Sequence, residues 1–516
     1  MRFDSLTKAP IVVAIAAGIL ALATFGTHVC AAPLRAGVAV ESITADNPTV
    51  VVHDPLRAKA LVVDDGTTKA VIVALDVGGV STTLLSMIRS RLRDEFGIEG
   101  ANVLVGASHN HHTQGQVVSD VADRAIKAIR RATETMVPVK IGVGTGHEDR
   151  IMMNRRLRLK DGRSWTIRRA NPSPRAADIA GLGPLDPEIG ILRVDKTNGD
   201  PLAVLYNFAG HAYGGVPNDG VTADFPGFAS AVLEEAFGHG AVALFLQGAS
   251  GDITPIRYKN VDTPPPTEQL GTMLGLSTLK AVNRIETQEG GTIKAISETV
   301  ELPRRQDAED RVESLEAQQE EILQFLTGIG CGTHGAGTFL NFKSFLPLYM
   351  KHTVDPDHPS YSSYLYAHEE ATGNKGLEHL DAENRKRVEK YLECIRQMER
   401  LIRIRSNLQM MRRHAKRTGG GSIAVEVQGI RIGDFVLVTF PGELFAEIGL
   451  RIKKQSPFEH TFVAGYTNGH LGYGPTTDAY EGQAYEDCLT PFASEWQEIY
   501  EAKVQEIIGR LKTTDP

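Results

Sequence analysis

Cysteine is scarce in this chain: four residues in 516, with no two spaced as Cys-x-x-Cys. That spacing underlies thiolate metal sites and most dithiol redox motifs, so a metal here has to rest on histidine and carboxylate. An excess of basic residues is missing too. Lys and Arg total 55 against 63 Asp and Glu, a formal charge of −8 with a pI near 6.1. That excludes the basic footprint of a nucleic-acid-binding surface. Internal repeats and low-complexity tails are absent, which removes solenoids and disordered arms from consideration. Past residue 32 no stretch is apolar enough to cross a bilayer.

What is there begins with residues 1–32, which read as an export signal. Arg2 and Lys8 give a positive start, 10–25 is almost wholly apolar, and Val29-Cys30-Ala31-Ala32 offers small residues for cleavage. The expected location is secreted or periplasmic; retention of the segment would make it a membrane anchor instead. Cleavage leaves Cys331, Cys394 and Cys488, enough for one disulfide and no framework.

The remaining 33–516 has an ordinary globular composition, 42% apolar and 23% charged. Apolar runs at 60–63, 70–75, 103–107, 202–208 and 241–246 read as buried strands, and 81–96 and 119–132 carry the longer helical period between them. The fold class is therefore α/β with a mixed β-sheet. The stretch 304–417 departs from this pattern. Val312, Leu315, Ile322 and Leu326 repeat at helical spacing, as do Val388, Leu392, Ile395, Met398 and Ile402. Two long amphipathic helices in antiparallel contact are expected, a helical-hairpin insertion into one domain. Between them lies an aromatic stretch with Phe339, Leu340, Phe342 and Phe345, a potential lid or entrance for an apolar substrate. Strands resume at 423–427 and 435–440.

Chemistry gathers where these strands end. Ser108-His109-Asn110-His111-His112 follows the 103–107 run, and alternate residues leaving a strand point to one side, so His109 and His111 can converge. Imidazole is the commonest protein ligand for zinc. The 202–208 run ends in Ala209-Gly210-His211, with Asp224 downstream as a residue to orient a histidine ring. The 241–246 run leads into Gly251-Asp252-Ile253-Thr254-Pro255, and 435–440 into Pro441-Gly442-Glu443, a carboxylate suited to a metal or a proton.

Taken in order, these blocks resemble the amidase domain of neutral, non-lysosomal ceramidases from Leu34 to Glu486. The resemblance rests on His109-Asn110-His111, Asn154-Arg155, His211 with Asp224, and Gly251-Asp252-Ile253-Thr254-Pro255. It continues through Pro441-Gly442-Glu443, Gly472-Tyr473-Gly474-Pro475-Thr476-Thr477-Asp478-Ala479-Tyr480-Glu481 and Gln483-Ala484-Tyr485-Glu486. It implies a zinc ion held by His109, His211, Glu443 and Tyr473, with His111 and Arg155 beside the scissile carbonyl and Asp252 and Thr254 in a neighbouring family block. Thr254 stands where the family has serine, which leaves a zinc-activated water as the nucleophile. The family's C-terminal immunoglobulin-like domain has no room in the residues after Glu486, and 304–417 has no counterpart in it.

The implied activity is zinc-dependent hydrolysis of an amide in an N-acylated substrate, ceramide-like by resemblance, with His111 as general acid. Another amide or ester, such as an N-acyl amino sugar or N-acyl amino acid, is the second reading. A non-catalytic, membrane-tethered interaction protein is a third. Expected partners are a small amphipathic substrate, a membrane surface met by the aromatic insertion, and further copies of the chain, with no nucleic acid.

Overall fold

The structure, a computed structural model, describes residues 33–167, 174–256, 267–328, 342–359, 363–417, 421–481 and 484–513. The export segment 1–32, Cys331, Phe339, Leu340, Gln483 and the side chain of Phe342 lie outside the described residues.

Nine strands form one mixed sheet. Its spatial order is Val242–Gln247, Pro201–Phe208, Glu188–Lys196, Val137–His147, Arg35–Ser42, Arg57–Asp64, Lys69–Leu75 and Val103–Ala107, with Gln288–Glu289 beside Val137–His147. The two outermost pairs are parallel and the inner ones antiparallel. The parallel pairs need crossovers, and helices supply them. Thr82–Phe96 links Lys69–Leu75 to Val103–Ala107; Asp224–Phe237 links Pro201–Phe208 to Val242–Gln247. The first of these helices is set by its ends. Ser81 accepts a hydrogen bond from the Leu84 amide, and Gly97 closes the last turn at φ 66°.

A second sheet, Ile293–Pro303, Ser422–Ile432, Phe435–Thr439 and Thr461–Ala464, lies against the first. Leu61, Ile72, Leu104 and Leu244 of one sheet share a core with Ile430, Phe435, Leu437 and Phe462 of the other. Its far face is covered by the C-terminal helix Trp496–Lys512 through Trp496, Tyr500, Val504 and Ile508. Each such side chain contributes roughly 1.5–3 kcal/mol when fully buried.

The large sheet curls until its two edges meet. A Cβ on Gly106 would come within 2.8 Å of Leu246 Cδ2, so the close approach requires glycine there. The segment after Thr461–Ala464 locks the seam. The Gly465 amide donates to the Gln247 carbonyl, and the Ala107 amide to the Tyr466 carbonyl, at 3.0 and 3.1 Å. Four strand ends thereby face one hollow.

Ile293–Pro303 and Ser422–Ile432 pair along their whole length, from Ile293–Ile432 to Pro303–Ser422. The helical stretch leaves and re-enters at one end of that hairpin. Its long members are Ala308–Gly328 and Gly376–Ala415, with Phe342–Val354 and Ser363–Thr372 between them. Arg400 donates to Gln318 and Arg412 to Glu316, so the two run antiparallel. The seam uses Leu315 and Ile322 against Ile404, Leu408 and Met411. Met398 and Ile402, expected on that stripe, are 45% and 62% exposed. The long helix carries two apolar stripes, and the shorter partner covers only the one through Ile404, Leu408 and Met411. Phe345 is also not poised as a lid. It is buried and stacks on Tyr391 of the long helix, with ring centres 4.2 Å apart. Cys394 is disulfide-bonded and Cys488 is free and buried. Among the described residues no helix is long and apolar enough to cross a membrane.

Candidate functional site

His109 leaves the end of Val103–Ala107 in a left-handed conformation, φ 58°, which is strained for a side-chain-bearing residue. The turn aims its ring inward, where it is buried and stacks on Tyr466 at 4.0 Å. His109 Nδ1 donates to the Gly78 carbonyl at 2.8 Å. His211, past the end of Pro201–Phe208, is likewise buried, with Nδ1 3.4 Å from the Ser250 carbonyl. Each carbonyl accepts only, so the tautomer with hydrogen on Nδ1 leaves the Nε2 lone pair pointing into the hollow. His111 Nε2 lies 3.0 Å from His109 Nε2 and 3.2 Å from His211 Nε2. A neutral imidazole has one N–H, so His111 cannot satisfy both lone pairs. Desolvation pushes His109 and His111 down to about 3, and His211 well below its ordinary value, so all three rings are neutral at pH 7.

This donor set fits a metal. Nitrogens bound at ~2.0–2.1 Å around a tetrahedral zinc lie about 3.3 Å apart, close to the separations seen. Glu443 adds an oxygen 3.6 Å from His109 Nε2. It sits on the two-residue strand Glu443–Leu444, paired in parallel with Tyr473–Gly474, which puts Glu443 directly beside Tyr473. Burial raises the pKa of both, and the charge of Arg155 opposes it in each case.

Arg155 anchors the other wall. Its guanidinium donates to the Tyr473 hydroxyl at 2.9 Å, to Glu486 at 2.9 Å and to the Gly251 carbonyl at 2.8 Å. Burial works against charge on Glu486, but Arg155 and Arg156 outweigh it and hold the carboxyl below the usual range. His109, His111, His211, Glu443, Tyr473 and Arg155 therefore surround one space.

Asp252 stands outside that space. One oxygen accepts from the Ala446 amide at the start of helix Ala446–Gln455, the other from Asn154 Nδ2. Its carboxylate fastens the Arg155 segment and that helix together. Thr254 is buried in Ile253–Pro255, opposite Met153. Asp224 turns no histidine ring. Its carboxylate accepts from the Gly214, Gly215 and Phe225 amides, fixing the loop after His211. His112 turns away towards Tyr213 and Gly215.

Three residues of the site carried no flag in the residue pattern. Tyr466 stacks on His109 and donates to Glu443 at 3.4 Å. His470 lies parallel to His109 with centres 6.0 Å apart. The available signal was Gly465-Tyr466-Thr467-Asn468-Gly469-His470 after the short run Thr461–Ala464. Gln247 ties the two histidine turns together. Its Nε2 donates to the Ser108 carbonyl at 3.0 Å, and its Oε1 accepts from the Gly210 amide at 3.1 Å.

No protein-family model matches the chain. Among solved structures, it is similar in fold to neutral ceramidase from Pseudomonas aeruginosa, with a TM-score of 0.60 at 19% identity. That likeness covers 93% of this chain and 74% of the other. A ceramidase complexed with C2 gives a TM-score of 0.58 at 18% identity, covering 93% and 75%.

Proposed function

We propose that this protein is a zinc-dependent amidohydrolase that cleaves the amide of an N-acylated, ceramide-like substrate. The observation that carries the reading is the meeting of three neutral histidine Nε2 atoms, where the single N–H of His111 cannot satisfy the lone pairs of both His109 and His211. The fold of neutral ceramidases supports the amide as the bond cleaved.

His109, His211 and Glu443, with Tyr473, would hold the ion. Zinc, when bound there, supplies a Lewis acid that brings the pKa of water from about 15.7 towards 7. The water oxygen bonds to the carbonyl carbon, the C–N bond breaks, and the products are a carboxylic acid and an amine. Arg155, charged and aimed at the Tyr473 hydroxyl, offsets the negative charge that develops on the carbonyl oxygen. His111, neutral and the histidine of the three with an exposed side, takes the proton released by the attacking water and passes it to the leaving nitrogen. Asp252 positions Arg155, and the Thr254 hydroxyl takes no part. Leu346, Met350 and Val354 stand exposed on helix Phe342–Val354 and support contact with a membrane surface.

The test is metal content and product identity on the same preparation. Mature protein should hold one zinc per chain and release free fatty acid from N-acyl-sphingosine, read by mass spectrometry. His109→Ala and His211→Ala should each lose zinc and turnover together. Folded variants that stay zinc-loaded and active would sink the assignment.

A further inference from the structure

Where the long insertion helix ends, it borders a cavity of about 400 Å³ between itself and the loop that carries His470. The walls include Arg304, Arg413 and Arg417, with His414 beside them and Leu489 as an apolar side. Among the described residues no carboxylate lines it. Among the described residues, none of the three arginines has an ion-pair partner, and the buried Arg304 Nε has no hydrogen-bond acceptor. On the same helix Arg396 is matched by Glu393 and Arg412 by Glu316, and Arg403 lies over the Trp165 ring. Cations gathered in a concave site repel one another and focus a positive field into it, so the arrangement suits an anion. Burial first, and then the nearby Arg305 and Arg417, pushes His414 down to about 4, in keeping with that field. Guanidinium groups match the oxygens of carboxylate, sulfonate and phosphate through paired N–H donors.

The cavity lies next to the catalytic residues. His470 lines it and also lies parallel to His109, while Gly472 in its wall precedes Tyr473. We propose that this cavity receives an anionic group carried by the substrate, so that the amide cleaved is that of an N-acylated amine bearing a negative charge. The inference rests on the amidohydrolase reading and, within it, puts charged N-acylated amines ahead of neutral N-acyl-sphingosine as the preferred substrate class. It also gives the insertion a task, since Arg413 and Arg417 belong to it.

Four amides of one acyl length test this. N-dodecanoyl-glycine, N-dodecanoyl-taurine and N-dodecanoyl-phosphoethanolamine present a carboxylate, a sulfonate and a phosphate; N-dodecanoyl-ethanolamine presents no charge. With zinc-loaded protein, kcat/KM for at least one anionic amide should exceed that for the neutral one by about tenfold, and which one identifies the anion. Arg304→Gln and Arg413→Gln should each lower that anionic-to-neutral ratio by about tenfold, the range of one charge-assisted hydrogen bond. A neutral amide cleaved as well as all three anionic ones, or a ratio untouched in both variants, overturns the proposal while the amidohydrolase reading stands. Should none of these amides be cleaved, nor N-acyl-sphingosine, the amidohydrolase reading fails, and equilibrium binding to metal-free protein decides the cavity. Tighter binding of an anionic amide than the neutral one, lost in Arg413→Gln, supports it; equal binding overturns it.

Discussion

The Arg155 guanidinium donates to the Tyr473 hydroxyl at 2.9 Å, and through Nε it also holds the buried Glu486. One side chain thus joins the Asn154–Asp252 corner to the strand that faces Glu443. Arg155→Met should lower kcat/KM by about 10²–10³, the scale of one lost oxyanion donor, with zinc content near wild type. Arg155→Lys should recover only part, lacking the planar fork. Unfolding in urea should show a loss below the ~3–5 kcal/mol of a fully stranded buried charge, since Arg156 remains 3.3 Å from Glu486. Unchanged kinetics in Arg155→Met would remove Arg155 from the reaction.

Gln247 sets the distance between the two histidine turns. Gln247→Leu strands the Ser108 carbonyl and the Gly210 amide, at ~1–3 kcal/mol for each buried group left unpaired. Zinc affinity should weaken by about 10- to 100-fold, as for other outer contacts of a metal site. Competition with a chelating dye measures it directly. A variant that loses thermal stability while binding zinc as tightly as wild type would show that Gln247 serves only the fold.

Thr254 separates two nucleophiles. With water as nucleophile, Thr254→Ala should keep most activity, losing at most a hydrogen bond of about 0.5–1.5 kcal/mol. Turnover abolished at full zinc occupancy would instead assign the hydroxyl an essential step.

Asp487 predicts a pH dependence of stability away from the metal site. Burial pushes its carboxyl up from 3.8 to about 7, against the opposing charges of Arg311 and Arg156. Among the described residues neither oxygen has a hydrogen-bond partner, and Arg311 stands 3.7 Å away. A folded pKa above the unfolded one means that the stabilisation is complete below pH 4 and is lost as pH rises towards 7. Three units at ~1.4 kcal/mol each set an upper bound of about 4 kcal/mol. The melting temperature of Asp487→Asn relative to wild type should therefore climb between pH 4 and pH 7 and level off above. A difference that stays flat across that range would refute the shift.

Much of the candidate site was legible because its residues follow apolar runs that can only be strands. His109, His211 and Glu443 each stand just past such a run, and the strand ends do share one hollow. Tyr466 and His470 were missed because Thr461–Ala464 is four residues long and too short for alternation to show. Asp224 and Asp252 looked like groups aimed at a ligand, yet both spend their oxygens on backbone amides or Asn154. A carboxylate after a strand looks the same in either role; only its partners distinguish them.

Residue periodicity, read locally, was enough for the α/β class, the helical interruption at 304–417 and the polar turns at strand ends, since each depends on which face of one segment avoids water. Which turns meet is a different matter. The curl that presses Gly106 on Leu246, and the Gly465 amide on the Gln247 carbonyl, joins residues far apart in the chain. So does the choice of the stripe through Ile404 over the one through Ile402. Such pairings are decided by how whole sheets and helices fill space together, and a segment's own pattern carries no record of its distant neighbour.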